Sequence, residues 1–144
     1  MILADEAATA RLGAALAALA RPGDVIALSG PLGVGKTTLA RGLIAALGHM
    51  GEVPSPSFAI VQPYDELQPA LWHVDLFRIE SPNELAELGL DSSVDAVLLI
   101  EWPERAGAGA WPEALALSLD FAASGARRLT AKVPPPWEGR WPPR

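Results

Sequence analysis

The segment Gly30-Pro31-Leu32-Gly33-Val34-Gly35-Lys36-Thr37 decides how the rest of this chain is interpreted. It matches the phosphate-loop pattern G-x-x-x-x-G-K-[ST] at every fixed position. The apolar run 24–29 predicts a short buried strand before the loop, and residues 37–47 predict a helix that ends at Gly48. A strand, a glycine-rich loop and a helix in this order favour nucleotide-phosphate binding over an ordinary turn before a helix.

The residue types in the loop each have a chemical reason. Glycines allow successive backbone N–H groups to turn toward phosphate oxygens, and the start of the following helix adds a partial positive charge. We expect Lys36 to reach the β- and γ-phosphates as a point charge, and Thr37 to offer its hydroxyl to Mg²⁺.

Composition limits the classes of protein to which the chain can belong. It has 144 residues, of which 50% are hydrophobic and 19% charged, and a formal net charge of −6 at pH 7. These values predict a single globular domain without a large basic surface for nucleic acid. The absence of cysteine excludes disulfides and thiol-ligated metals. An acidic start and short apolar runs predict a cytoplasmic protein.

The remaining pattern predicts an α/β fold. Strands alternating with helices predict a P-loop NTPase-like three-layer sandwich, with a mainly parallel sheet covered on both faces and a C-terminal antiparallel hairpin. We divide the chain into a domain over 1–133 and a Pro/Trp-rich tail over 134–144, expected to be extended or loosely ordered. The sequence does not decide whether the tryptophans of the tail pack back on the body or contact a partner. The predicted elements are helices over 6–20, capped by Asp5, and 82–88, capped by Ser81, and strands over 58–62, 71–77, 96–102, 115–121 and 128–133.

Two of the predicted strands end in acidic residues. Asp75 lies near the end of the strand 71–77, where an acid can face magnesium or position water. Glu101 follows an apolar run, the Walker-B arrangement, and its buried charge favours a compensating cation. His73 shares a strand face with Asp75, and we interpret it as a packed or hydrogen-bonded core residue. Trp102 is either an ordinary hydrophobic anchor or a shield for the nucleotide.

A hydroxyl-bearing loop follows the phosphate-loop helix. It contains Ser55-Pro56-Ser57-Phe58. Loops in this position sense the γ-phosphate in nucleotide switches, but position alone favours a simple turn into a strand.

Several segments together resemble one known family. In order and spacing they resemble the TsaE (YjeE) family, the ATPase of bacterial threonylcarbamoyl-adenosine synthesis on tRNA, over about residues 5–131. The segments are the phosphate loop with Thr37-Thr38 and Arg41-Gly42, then Ser55-Pro56-Ser57-Phe58, Tyr64, His73-Val74-Asp75-Leu76-Phe77-Arg78, Glu84-Leu85-x-x-Leu88-Gly89 and Glu101-Trp102-Pro103.

The resemblance implies a small ATPase that uses ATP and Mg²⁺ and acts with the TsaB and TsaD proteins, meeting tRNA only through that complex. It implies that Lys36 holds phosphate, that Thr37 and Glu101 hold the metal, and that Asp75 supports hydrolysis. The catalytic set is therefore Lys36, Asp75 and Glu101, and the Ser55 loop becomes the expected switch. The predicted nucleotide-binding residues are Glu6, Leu32, Gly33, Val34, Gly35, Lys36, Thr37, Thr38, Ser55 and Trp102.

The chain departs from the family pattern at a few positions. Pro31 stands in place of the usual Asp, and we expect it to be tolerated because it precedes the amides that face phosphate. Ser57 replaces Thr and keeps the hydroxyl, whereas Phe77 replaces Tyr and loses one. Gly125-Ala126-Arg127 replaces a Gly-Arg pair, which leaves the role of Arg127 open.

Three other functions are compatible with a phosphate loop. A small-molecule kinase lacks support because no long arginine-bearing lid is visible. A GTP switch lacks the N-K-x-D guanine motif, since Asn83 is the only asparagine. A binding module without turnover is disfavoured by the two strand-end acids. With no obvious arginine finger near the loop, we expect slow turnover that a partner completes.

Overall fold

A computed structural model describes residues 1–54, 60–93, 95–107 and 109–143 of the chain. The described residues form one seven-stranded sheet in the order β1-β7-β6-β2-β5-β4-β3. Its strands are β1 (Ile2–Leu3), β2 (Val25–Ser29), β3 (Val61–Tyr64), β4 (Leu71–Asp75), β5 (Val97–Glu101), β6 (Leu115–Phe121) and β7 (Arg127–Lys132). The helices are α1 (Glu6–Ala17), α2 (Lys36–Ala46) and α3 (Asn83–Ala86), with 3₁₀ turns at Leu90–Ser92, Pro103–Ala106, Ala123–Gly125 and Pro135–Trp137.

The sheet is mixed, with a parallel centre and antiparallel edges. The four central strands β6, β2, β5 and β4 run parallel to one another, as expected for the core of an α/β fold. The predicted C-terminal hairpin is confirmed by the antiparallel pairing of β6 and β7. At the two edges, β3 and β1 also pair antiparallel.

The edge strands differ most from the prediction. Strand β3 covers Val61–Tyr64 rather than 58–62, so it includes Pro63, and residues 55–59 lie outside the described part. A proline is tolerated there because one side of an edge strand needs no ladder N–H. Strand β1 was not predicted, since its two residues are too few to form an alternating pattern.

Alternation along β4 and β5 decides which side chains reach the helices. In the parallel register, Asp75 pairs with Glu101 and Val74 with Ile100. Successive residues on a strand face opposite sides of the sheet. Val74 and Ile100 belong to an apolar cluster that packs under α3 and the nearby turns, whereas the alternate residues face the cluster that includes α1 and α2. The acidic residues therefore lie on the helix side.

Helices α1 and α2 pack closely on that side. Asp5 caps α1 as predicted, because its Oδ1 accepts a hydrogen bond from the Ala8 amide at 2.8 Å. A Cβ built on Gly13 would overlap the Leu39 carbonyl oxygen, and one on Gly42 would overlap the Ala10 carbonyl oxygen. These two glycines therefore permit the close approach of the helix backbones.

Two helix ends differ from the expectation. Helix α1 ends at Ala17 rather than at residue 20. Helix α3 covers only Asn83–Ala86, and Ser81 does not cap it. The Glu84 carboxylate turns back and accepts bonds from the amides of Glu80 and Ser81. These two amides precede the helix, so the Glu84 carboxylate does not take the place of a serine cap. The α-helix ends at Ala86, before the predicted Leu88.

The tail packs on the body rather than extending from it. Trp137 is fully buried in the larger apolar cluster. Arg140 makes two hydrogen bonds to the Asp24 carboxylate, at 2.8 and 2.9 Å, and one to the Leu19 carbonyl at 2.7 Å. The expectation of a loosely ordered tail is therefore wrong for residues 134–143. The division of the chain into a domain over 1–133 and a tail stays a prediction.

No helix among the described residues is long and apolar enough to cross a membrane.

Candidate active site

The glycine-rich loop between β2 and α2 contains glycines with positive φ angles. Gly33 and Gly35 have φ angles of 75° and 119°, which side chains other than glycine rarely adopt. Gly35 is the residue that precedes α2, so the loop passes directly into the amino end of that helix. The first amides of the helix have no partner within it and are available to an anion.

Lys36 is held at the entrance of this loop. Its ammonium donates hydrogen bonds to the carbonyl oxygens of Gly30 and Pro31, the latter at 3.4 Å. Nζ also lies 3.8 Å from the centroid of the Trp102 ring. Burial lowers the pKa of Lys36 below its ordinary value, although the carboxylates of Glu101, Glu104 and Asp75 oppose that shift.

Thr37 and Glu101 come together across 64 positions of sequence. Thr37 Oγ1 lies 3.2 Å from Glu101 Oε1 and 3.4 Å from Oε2. Nε2 of the fully buried His73 lies 2.7 Å from Glu101 Oε2. The interpretation of His73 as a hydrogen-bonded core residue is confirmed, and its partner is the carboxylate that ends β5.

Asp75 stands beside Glu101 at the end of the neighbouring strand. Its Oδ1 accepts a hydrogen bond from the Phe77 amide at 2.8 Å. Burial raises the pKa of Asp75, the backbone hydrogen bond from Phe77 opposes that shift, and the Glu101 carboxylate adds to it. A carboxyl group with a raised pKa is a better proton acceptor than an ordinary aspartate.

Trp102 adopts a left-handed backbone conformation directly after Glu101, with φ of 60°. Such a conformation is costly for a large side chain and concentrates at functional sites. The Trp102 ring lies 5.0 Å from that of Phe77 and forms the cation–π contact with Lys36. The residue thus closes one wall of the site.

Two cavities share the loop between them. The first, about 220 Å³, contains the ammonium, the hydroxyl and both carboxylates described above. The second, about 240 Å³, lies on the other side of the loop against α1 and the β6–β7 turn. The first is lined by Leu32, Gly33, Gly35, Lys36, Thr37, Thr38, Asp75, Glu101 and Trp102, and the second by Asp5, Glu6, Thr9, Gly33, Val34, Gly35, Thr38, Gly125 and Arg127.

The structure gathers the predicted residues around these two spaces. Each predicted site residue within the described ranges lines one cavity or both, and Glu6 lies in the second cavity rather than beside the carboxylates. Ser55 and the rest of the expected switch lie outside the described residues. The chemical roles assigned to these residues stay predictions.

Three residues of the second cavity have no role predicted from the sequence, namely Thr9, Gly125 and Arg127. Thr9 is buried on α1 and lines this cavity. It lies four positions after the cap Asp5, so the two residues are on the same face of the helix. That spacing could have placed Thr9 at the loop. The Arg127 Nε donates to the Val34 carbonyl at 2.8 Å, across 93 positions of sequence. No local pattern indicates that contact.

One family model matches most of the chain. It is described as threonylcarbamoyl adenosine biosynthesis protein TsaE and matches residues 3–129. That range includes the loop, both strand-end acids and Arg127.

Several relatives and a solved structure are similar to the chain. The tRNA threonylcarbamoyladenosine biosynthesis protein TsaE of Haemophilus influenzae is 39% identical over 100 residues, 67% of this chain and 63% of the relative. The protein of the same name from Streptomyces coelicolor is 47% identical over 97 residues, 65% of this chain and 66% of the relative. In each case the match covers less than two thirds of the relative. The crystal structure of Bacillus subtilis YdiB superposes with a TM-score of 0.77 at 30% identity, over 91% of this chain and 82% of that chain.

Proposed function

Because the chain belongs to the TsaE family, we propose that it is a magnesium-dependent P-loop ATPase. In this proposal it supports threonylcarbamoyl-adenosine modification of tRNA together with the TsaB and TsaD proteins. It meets tRNA through that complex, in keeping with its net charge of −6. The alternatives are a small-molecule kinase and a GTP-binding switch.

One observation carries the proposal. The hydroxyl of Thr37 lies 3.2 Å from the Glu101 carboxylate, in a cavity that also holds Lys36 and Asp75. A glycine loop at a helix start can bind phosphate in many proteins. This cavity also brings together a hydroxyl, two carboxylates and an ammonium, which are the groups that enzymes of phosphoryl transfer use.

The donor set fits Mg²⁺. Magnesium prefers hard oxygen ligands and is bound by one or two protein oxygens together with substrate phosphates. Thr37 and Glu101 supply a hydroxyl and a carboxylate. Among the described residues, no group of three or more His, Cys, Asp or Glu side chains could hold a metal by itself. Bound there, Mg²⁺ would neutralise charge on the phosphate oxygens.

The side chains around the cation divide the remaining work. Loop amides and Lys36 bind the phosphates, and the ammonium, which contacts two carbonyls and the Trp102 ring in the ligand-free protein, supplies positive charge. Asp75 orients the attacking water and accepts its proton, which suits a carboxyl whose pKa burial has raised. The second cavity, lined by Glu6 and Thr9, holds the nucleoside.

Phosphate release tests the proposed hydrolysis. The wild type should release phosphate from ATP only when Mg²⁺ is present, and Lys36→Ala should lower the rate by about 10²-fold or more. Lys132→Ala is the matched control, because Lys132 is the only other lysine and is exposed. Normal hydrolysis by Lys36→Ala would refute the assigned phosphate site.

Products and partners separate the alternatives. Free phosphate supports the ATPase, whereas a phosphorylated metabolite supports the kinase. Tighter binding of GTP than of ATP would support the switch. Addition of TsaB and TsaD should raise the slow intrinsic rate, and equal, fast rates with and without them would contradict activation by partners.

A further inference from the structure

We propose that Arg127 is a positioning residue for the phosphate loop. It holds the carbonyl of Val34 and thereby directs the Gly35 amide toward the phosphates in the first cavity. The inference rests on the proposed function, since it concerns how the same loop binds phosphate. It goes beyond that function by assigning a role to a residue at the start of β7, far from the loop in sequence.

The guanidinium of Arg127 is fixed by several contacts. Its Nε donates to the Val34 carbonyl at 2.8 Å, and its Nη1 donates to the carbonyls of Gly125 and Ala126 at 2.9 and 3.3 Å. The group also lies 4.7 Å from the centroid of the Phe121 ring. The contacts within the β6–β7 turn therefore hold the guanidinium in one orientation. From that orientation its Nε reaches the phosphate loop at Val34.

The contact with Val34 fixes a peptide unit. In a trans peptide the C=O and the following N–H point in opposite directions. A bond that holds the Val34 carbonyl toward β7 therefore turns the Gly35 N–H the other way. Gly35 has a φ of 119° and lines both cavities, so this peptide lies where the two spaces meet.

This peptide needs an external restraint. Val34 lies between Gly33 and Gly35, and glycine adopts both signs of φ with little cost, so the intervening peptides can rotate. The Val34 side chain is buried and anchors one end. The amide of Val34 donates a hydrogen bond to the carbonyl oxygen of Pro31 at 3.2 Å. Among the described hydrogen bonds, the carbonyl oxygen of Val34 accepts only the one from Arg127.

A direct contact between Arg127 and the nucleoside is the competing explanation, because the residue also lines the second cavity. The two roles differ in what they require of the ligand. A nucleoside contact strengthens only ligands that carry a base and ribose. A correctly oriented Gly35 amide strengthens any polyphosphate, including one without a nucleoside.

The test compares Arg127→Gln with Arg128→Gln, its exposed neighbour on the same strand. Binding of Mg²⁺-ATP and of inorganic tripolyphosphate is followed by NMR titration, which also measures weak affinities. We expect Arg127→Gln to weaken both ligands by a similar factor of about ten, as for the loss of a charge-assisted hydrogen bond. Arg128→Gln should leave both affinities unchanged.

Each other outcome overturns the inference. A loss for ATP alone would make Arg127 a nucleoside contact, and no loss for either ligand would remove its role. A wild type that binds neither ligand would refute the proposed function itself. The chemical shift of the Gly35 amide in the ligand-free protein is a second measurement. It should change in Arg127→Gln and not in Arg128→Gln. An unchanged shift in Arg127→Gln would contradict the proposed role of the bond between Arg127 and Val34. Arg127→Lys, which keeps the charge and one donor, should recover part of the affinity.

Discussion

Nε2 of His73 lies 2.7 Å from Oε2 of Glu101, and both side chains are buried. The other ring nitrogen, Nδ1, has no hydrogen-bond partner within the described structure. A second proton on Nδ1 would place an unpaired N–H in the interior, which is costly. The contacts therefore favour the neutral tautomer with the proton on Nε2, which donates to Glu101 and holds its carboxylate toward Thr37.

Removal of that donor should weaken the use of magnesium. In His73→Leu the Glu101 carboxylate loses its strongest orienting contact, so the Mg²⁺ concentration for half-maximal hydrolysis should rise by about 10- to 100-fold. His73→Gln can donate from its amide and should recover part of the loss. His49→Gln is the control, because His49 is the only other histidine and lies outside both cavities. Equal magnesium dependence in His73→Leu and wild type would contradict this role.

Asp75 should destabilise the ligand-free protein at neutral pH. Burial raises its pKa, so the folded state binds its proton more tightly than the unfolded chain does. The stabilisation from protonated Asp75 is fully present below the unfolded pKa and is lost as pH rises through the folded pKa. Asp75→Asn keeps an oxygen for the Phe77 amide and should be more stable than wild type at pH 7 while losing ATP turnover.

The measurement for Asp75 is denaturant unfolding over a series of pH values. The stability advantage of Asp75→Asn should shrink as pH falls below the raised pKa of the wild-type carboxyl. Asp120→Asn, at an exposed position of β6, should show no such pH-dependent gain. A variant at Asp75 that is no more stable than wild type at pH 7 would show that the buried charge is fully compensated.

The contact between α1 and α2 should reverse the usual effect of alanine in a helix. Gly→Ala in an exposed helix stabilises by up to about 1 kcal/mol. At Gly13 the added methyl group meets the Leu39 carbonyl, so Gly13→Ala should instead destabilise by about 1–3 kcal/mol. Thermal or denaturant unfolding measures the change, with the exposed Arg11→Ala as the control in the same helix. A stabilised Gly13→Ala variant would show that the helices are not in close contact.

The tail should contribute strongly to stability through Arg140. Its ion pair with Asp24 is largely shielded, with both side chains 9% exposed. Arg140→Met leaves the Asp24 carboxylate without its charged partner, and loss of that partner at a partly buried site should cost about 1–3 kcal/mol. Denaturant unfolding should show this cost in Arg140→Met and little change in Glu138→Gln, an exposed tail position. Equal stability of the two variants would show that the contact of Arg140 with Asp24 contributes little to the free energy of unfolding.

The central part of the site could be predicted from the sequence because its residues belong to a local motif or lie at the ends of parallel strands. The loop pattern predicts its own conformation, and Asp75 and Glu101 each end an apolar strand. Adjacent parallel strands bring their carboxyl ends to one edge, so the two acids meet beside the loop.

The missed features depend on tertiary contacts. Nothing near Arg127 shows that it will meet Val34, because the bond exists only after β7 has joined the sheet. Trp137 lies in a proline-rich tail whose sequence does not decide between packing on the body and contact with a partner, and in the structure it is buried in the core. The Ser81 cap is absent because the Glu84 amide, which the serine hydroxyl would have capped, donates to the Ser81 carbonyl instead. In each case long-range packing or a competing backbone hydrogen bond decided the outcome.

The most direct test of the central claim is a crystal structure with Mg²⁺ and a non-hydrolysable ATP analogue. The phosphates should be bound by the loop amides and Lys36, with the cation between the Thr37 hydroxyl and the Glu101 carboxylate. An empty loop in crystals that contain the analogue elsewhere, or a Glu101 carboxylate turned away from the phosphates, would contradict that claim.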